Sequence, residues 1–179
     1  GDILKCLSCN TFSLFPFPTR EDIKELYQDL GVFSNVPANP FANRFLFKQY
    51  EYLYREYADG TRFVTKTCLR LAKAARPRVL DIGCGRGILL SKFKRYLPTT
   101  EICGIDLDPG ARENAPVELR DNILIGAVED IPPERKFDII TAQFVIEHIL
   151  EPVQFLDRIH TLLAADGCVM LSTPDIGSR

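Results

Sequence analysis

The sequence has no apolar run approaching the ~18–20 residues that a membrane-crossing helix needs. It also has no charged start followed by an apolar stretch of the signal-peptide type. A soluble, cytoplasmic chain with no membrane partner is the expectation. It has no block of like charge either: 22 Lys and Arg stand against 24 Asp and Glu, a net charge of -2. The field that attracts a phosphate backbone is therefore missing, which sets nucleic acid aside as a partner. Internal repeats and low-complexity tracts are absent. Methionine occurs once, at Met170, and the chain begins at Gly1, the pattern of a piece excised from a longer protein. Cysteine occurs six times, but Cys68, Cys84, Cys103 and Cys168 lie singly within apolar segments, where the residue acts as a small buried hydrophobe. Only Cys6 and Cys9 form a local pair.

What is present suits a globular α/β protein. A length of 179 residues with 46% hydrophobic content can bury one core with a small appended module. Residues 1–34 read as that module: a loop-rich, cysteine- and proline-marked segment, then an amphipathic helix opened by Thr19 and Asp22 and closed by Gly31. Residues 35–62 hold the linker "NVPANP" and a tyrosine-rich helical region, with Tyr50, Tyr52, Tyr54 and Tyr57 expected to pack in a core or to form part of a lid. From residue 63 to 179, helical spacing ends at Pro77 and the pattern alternates. Strand-like "RVLDI", "EICGIDL", "NILIGAV", "FDIITAQF" and "CVMLSTP" are separated by helical or short polar stretches. Nearly all-apolar strands between helices predict a parallel sheet covered on both faces, with the ligand beyond the carboxyl ends of the strands.

One turn carries the chemistry. In "DIGCGRG" three glycines, Gly83, Gly85 and Gly87, stand between the first of these strands and a helix, and Ile88 occupies the place where a dinucleotide loop wants its third glycine. About twenty residues on, Asp106 ends the second strand, where a carboxylate can accept from both hydroxyls of a ribose. "GAVEDIP" then offers Glu129 and Asp130 as acceptors for an exocyclic adenine amine, and "FDIITAQFVIEHI" follows.

The ordered motifs "VLDIGCGRG", "GIDLDP", "EDIP", "FDII", "EHI" and "DGCVMLSTP", from about Phe63 to Pro174, resemble the class I S-adenosylmethionine-dependent methyltransferases. The similarity is greatest to the small-molecule group that includes ubiquinone-biosynthesis and sugar methyltransferases. The resemblance implies a Rossmann-like doubly wound sheet in strand order 3-2-1-4-5, here without the family's last two strands. It also implies methyl transfer from S-adenosylmethionine to a small acceptor, leaving S-adenosylhomocysteine. Asp81 and the loop Gly83, Cys84, Gly85 and Gly87 would hold the methionine end, with the Cys84 side chain a neutral filler. Asp106 would take the ribose, Leu107 would lie against the adenine, and Glu129, or in second place Asp130, would take the adenine amine with the amide of Val128 near the ring. Gln143 and Phe144 would flank the sulfonium. Ala127 departs from the aspartate common at its position.

His148, next to Glu147 beyond the fourth strand, is the candidate general base; a packed, hydrogen-bonded histidine is the competing reading. His160 sits within a periodic helix and reads as structural. Cys6 and Cys9 make one CxxC, half of a four-thiolate zinc site, and resemble the second half of a zinc-ribbon module. With no earlier cysteine pair, no complete metal site is expected within the chain; a zinc shared between chains, or two free thiols, are the alternatives. The last strand would be an open edge, suited to pairing with a second copy. Two other functions stay in view: a non-catalytic cofactor-binding fragment, and a nicotinamide-dependent oxidoreductase domain. The acceptor, and transfer to oxygen, nitrogen or carbon, are left open.

Overall fold

The computed structural model describes residues 2–19, 21–22 and 60–174. The linker and the tyrosine cluster lie outside these residues, as does the expected amphipathic helix beyond Glu21 and Asp22. The start of that helix carries a reciprocal cap: the Thr19 amide donates to Asp22 Oδ2 at 2.7 Å, and the Asp22 amide to Thr19 Oγ1 at 3.1 Å.

The loop-rich, cysteine-marked start also holds two short strands. β1 (Asp2–Lys5) and β2 (Phe12–Phe15) form an antiparallel hairpin, Lys5 opposite Phe12. Alternation over four residues was too short to announce a strand in sequence. The connecting turn carries Cys6 and Cys9, closed by Cys6 N–H to Thr11 O at 2.8 Å and by Asn10, at φ 60°. Both thiols are free and exposed, and hydrogen bonding to Thr11 lowers Cys9 to a pKa of about 7. Among the described residues no three His, Cys, Asp or Glu side chains cluster as a metal would require.

The remainder builds one sheet. A helix over residues 60–71, α1, leads into β3 (Arg78–Ile82), α2 (Ile88–Tyr96), β4 (Glu101–Asp106) and the short α3 (Pro109–Glu113). Then follow β5 (Ile123–Ile125), β6 (Phe137–Gln143), α4 (Pro152–Leu162) and β7 (Leu163–Ser172). The strands run parallel in the order β5-β4-β3-β6-β7, which reads 3-2-1-4-5 when counted from the first strand of this sheet. Alternation along each central strand feeds two cores. Val79, Ile102 and Ile139 pack with Val64 and Cys68 of α1 and with Leu89, Leu90 and Phe93 of α2. Leu80, Ile82, Cys103, Ile105, Ile140 and Ala142 pack on the other face with Phe155, Ile159 and Leu162 of α4. A strand buried on both sides must be apolar throughout, which is why these segments read as continuous runs.

Two expected elements change shape. "NILIGAV" is a strand only over three residues; Gly126 then turns at φ 154° and a 3-10 turn, Val128–Asp130, takes over. "PGARENA" is helical: Asp108 caps it by accepting from the Gly110 amide at 2.7 Å, and Pro109 sits in the first turn, where its missing N–H costs nothing. β7 starts earlier than the apolar pattern suggests, at Leu163, with an irregularity opposite Phe137–Ile139 before regular pairing from Cys168. Among the described residues no helix is long and apolar enough to cross a membrane.

Candidate functional site

The loop after β3 is the centre of the site. All three of its glycines are left-handed, Gly83 at φ 66°, Gly85 at 49° and Gly87 at 75°, a run that L side chains resist. A Cβ on Gly83 would also stand 2.5 Å from Val145 Cγ2. The chain is pinned across the strands as it turns: the amides of Gly83 and Cys84 both donate to Ile105 O, at 2.8 and 3.2 Å. Gly87 caps α2, so the first turn of that helix, with its unpaired amides, faces the loop. Cys84 is buried, donates to Gly85 O at 3.4 Å, and has its thiol pushed far up by burial, so it fills space without reactivity. It fits because β4 carries Gly104 opposite: a Cβ there would meet Cys84 Sγ at 2.6 Å and Leu90 Cδ1 at 2.9 Å.

Two carboxylates flank the loop. Asp81 is 3% exposed and accepts one hydrogen bond, 2.7 Å from Thr141 Oγ1 across the β3–β6 pair. Burial first, then the charge of Asp106, raises its pKa to about 7, while the Thr141 bond works against the shift. Among the described residues no cation is paired with this carboxylate. Asp106, at the end of β4, is structural and available at once: Oδ2 accepts from the Gly85 amide at 2.8 Å and Oδ1 from the Asp108 amide at 3.0 Å. Burial raises its pKa; the backbone donors partly offset that. An ionised carboxylate has about four lone-pair positions, so two acceptor directions remain.

Glu129 and Asp130, the first and second choices for the adenine amine, differ in the structure. Asp130 Oδ2 accepts from the Ala127 amide at 2.8 Å and so caps the 3-10 turn, whereas Glu129 is exposed on it. Val128, first in that turn, is buried, and its amide has no partner within the turn. Leu107, 56% exposed, extends beyond the end of β4. Gln143 ends β6; its Oε1 accepts from Ser172 Oγ at 3.0 Å, and its Nε2 is buried without a partner among the described residues. Phe144 follows at φ 56° with its ring 48% exposed. His148 lies on the exposed side of the turn Ile146–His148, its amide donating to Val145 O at 2.9 Å.

Sequence reasoning missed four contributors. Thr141 and Ser172 are hydroxyl residues inside apolar strands, a signal that was visible and unused. Gly104 lies in mid-strand, which by itself announces close packing. Arg158 of α4 donates to the carbonyls of Val128, Glu129 and Ile131, and so fixes the 3-10 turn from below; one arginine in a periodic helix gave no hint of it. A cavity of about 260 Å³, lined by Arg78, Glu101, Arg135 and Phe137 among others, opens at the amino ends of the strands, away from these groups. Sheets of this kind bind ligands at the carboxyl ends.

Comparison with known proteins agrees with this geometry. Residues 50–179 match the sequence profile of the family described as "Methyltransferase domain". The ubiquinone biosynthesis O-methyltransferase of Rhodopseudomonas palustris is 36% identical over 103 residues, covering 54% of this chain and 39% of that protein. Malonyl-[acyl-carrier protein] O-methyltransferase 1 of Ilyobacter polytropus is 29% identical over 99 residues, 53% of this chain and 37% of that one. The match thus spans about two fifths of the length of these relatives. Among solved structures, the plantazolicin methyltransferase BpumL with a pentazolic desmethylPZN analog and SAH superposes with a TM-score of 0.56 at 22% identity, over 86% of this chain and 61% of that one. DesVI of Streptomyces venezuelae gives 0.54 at 20%, over 69% and 55%. The structural likenesses establish a shared fold, and since the profile match takes in well over half the residues, β3 to β7 and the glycine loop included, the chain belongs to the methyltransferase domain family.

Proposed function

We propose that this chain binds S-adenosylmethionine at the carboxyl ends of β3, β4 and β6 and transfers its methyl group to an oxygen of a small acceptor. The observation that carries the reading is Asp81: a buried carboxylate with one hydroxyl partner, under a loop of three left-handed glycines. A proton neutralises such a group below about pH 7, and a cation brought by a ligand can do so above it; the methionine ammonium is one. The bound donor supplies an activated methyl group on a sulfonium, whose bond to sulfur breaks as the acceptor oxygen bonds to carbon.

The chain's own residues then have distinct tasks. Asp81 holds the ammonium, and Gly83, Gly85 and Gly87 clear the backbone for the amino-acid moiety. Asp106 accepts from the ribose hydroxyls with the lone pairs that Gly85 and Asp108 leave unused. Leu107 covers one face of the adenine, the Val128 amide meets its edge, and Glu129 accepts from its amine. Gln143 and Phe144 border the transferring methyl. His148 takes the proton of the attacking hydroxyl, a role worth about 10²–10⁴ in rate. Both relatives named above are O-methyltransferases, which favours oxygen as the acceptor atom.

Isothermal titration with S-adenosylhomocysteine tests the site. Binding by the parent chain, and loss of at least about tenfold in affinity in Asp106→Ala, support it; one hydrogen bond to a charged group is worth that much. Unchanged affinity in Asp106→Ala, or tighter binding of NAD than of S-adenosylhomocysteine, sinks it. His148→Gln is expected to bind the product normally and to slow transfer when 3,4-dihydroxybenzoate is the acceptor probe.

A further inference from the structure

The carboxyl end of the sheet carries a file of polar side chains on one face. Register pairs Asp81 with Thr141 and Gln143 with Ser172, and the two-residue period of β6 puts Thr141 and Gln143 on the same side. One pair below, the same face turns apolar at Val79, Ile139 and Cys168. Within this file every buried polar atom but one has a partner among the described residues. The exception is Gln143 Nε2, a buried donor with no acceptor. A lone orphan of this kind in an otherwise satisfied network is unfavourable, and its position is a pointer to a missing acceptor.

Ser172 sets the direction of that orphan. Its hydroxyl donates to Gln143 Oε1 at 3.0 Å, which fixes the amide plane and leaves Nε2 on the far side. Its carbonyl, on the same residue, accepts from the Phe144 amide at 2.9 Å and secures that residue at its left-handed φ of 56°. One residue of β7 therefore clamps both residues that border the loop from β6. No site role was assigned to it from sequence.

We propose that Ser172 is a positioning residue that holds the Gln143 amide so that Nε2 donates to the α-carboxylate of the methyl donor, while Asp81 takes the ammonium. The proposal rests on the donor-binding reading given above. An amino-acid zwitterion would thus find a carboxylate and an amide donor on neighbouring strand ends, one for each of its charges, and the orphan would be satisfied only in the complex.

The test compares S-adenosylhomocysteine with its decarboxylated analogue by isothermal titration on the 179-residue chain. Gln143→Ala and Ser172→Ala are expected to bind S-adenosylhomocysteine about tenfold to a hundredfold more weakly, the loss of one hydrogen bond to a charged group. Both should bind the decarboxylated analogue as the parent does. Ser172→Thr, which keeps the hydroxyl, should restore most of the loss. Gln143→Glu is nearly isosteric and should fold even where Ser172→Ala does not; it sets a carboxylate against a carboxylate and should bind S-adenosylhomocysteine more weakly than Gln143→Ala. Equal losses for the two ligands, or unchanged affinity in Gln143→Glu, would overturn the role of this pair. A parent chain that binds neither ligand would instead refute the donor-binding reading beneath it.

Discussion

Replacing Asp81 by asparagine should make the protein more stable at neutral pH and less able to bind its donor. The side chain is 3% exposed, and its pKa is about 7 in the folded chain against 3.8 for an ordinary aspartate. The folded state therefore holds this proton more tightly than the unfolded chain does. Because the folded value is raised, the stabilisation from protonation is complete below the unfolded value and is lost as pH rises through 7. A difference of about three units, at ~1.4 kcal/mol each, gives a total of about 4 kcal/mol, of which ~2–3 kcal/mol falls between about pH 5 and pH 8. Asparagine keeps an oxygen for Thr141 and removes the titration.

Urea unfolding of parent and Asp81→Asn across about pH 5 to 8 measures this directly. The parent's stability should fall relative to the variant's by ~2–3 kcal/mol over that range, and the variant should be the more stable at about pH 8. Two parallel curves would refute the account of Asp81 as a buried carboxylate without a cation. The same linkage governs the ligand. Below about pH 7 an incoming ammonium must displace the proton, so S-adenosylhomocysteine affinity should drop by up to about tenfold per unit, with proton release visible in buffers of different ionisation enthalpy.

Three further outcomes follow from the contacts around Gly104, Asp130 and Arg158. Gly104→Ala places a methyl 2.6 Å from Cys84 Sγ and 2.9 Å from Leu90 Cδ1, and should cost about 1–3 kcal/mol; adding Cys84→Ala should return part of it in a double-mutant cycle by urea unfolding. Asp130→Ala removes the cap on Ala127 and should lower stability by about 1 kcal/mol, while Glu129→Ala should leave stability unchanged and weaken S-adenosylhomocysteine severalfold; the reverse pattern would exchange their roles. Arg158→Ala releases the carbonyls of Val128, Glu129 and Ile131 and should weaken the same ligand without touching it, with faster hydrogen exchange confined to the 3-10 turn.

The fold was legible because its signals are periodic and redundant. Each central strand is mostly apolar since both of its faces are covered, and the turns after β3, β4 and β5 announce themselves by glycine or aspartate. That Asp81, Gly83, Gly85, Gly87 and Asp106 lie together was readable because strand-end positions in such a sheet converge whatever the loops do. Glu129 and Asp130 were not separable, because which of two adjacent carboxylates caps a turn depends on a backbone bend at Gly126 that has no one-dimensional signature. The hairpin escaped notice for a related reason: four-residue strands are fixed by their pairing, and pairing is not written in either strand alone. Ser172 and Thr141 looked like ordinary strand residues, since a hydroxyl becomes informative only when its cross-strand partner is known.

Asp81 and Asp106 together also decide what sort of adenosine compound the loop admits. A glycine loop opening a helix is built to approach an anion, and on that feature alone a pyrophosphate would suit it. Here burial and the charge of Asp106 raise the pKa of Asp81, burial and the charge of Asp108 raise that of Asp106, and no arginine or lysine is bonded to either among the described residues. A pyrophosphate would add two negative charges beside them, whereas a zwitterion with a sulfonium adds one net positive charge. At the effective dielectric of about 20 found near protein surfaces, two unit charges ~5 Å apart differ by about 6–7 kcal/mol between attraction and repulsion. That gap exceeds what the first-turn amides of α2 can supply to an anion, ~2 kcal/mol at most from the helix end. On the donor-binding reading proposed above, the charge around the loop outweighs its glycine pattern and favours a cationic amino-acid nucleoside over a pyrophosphate.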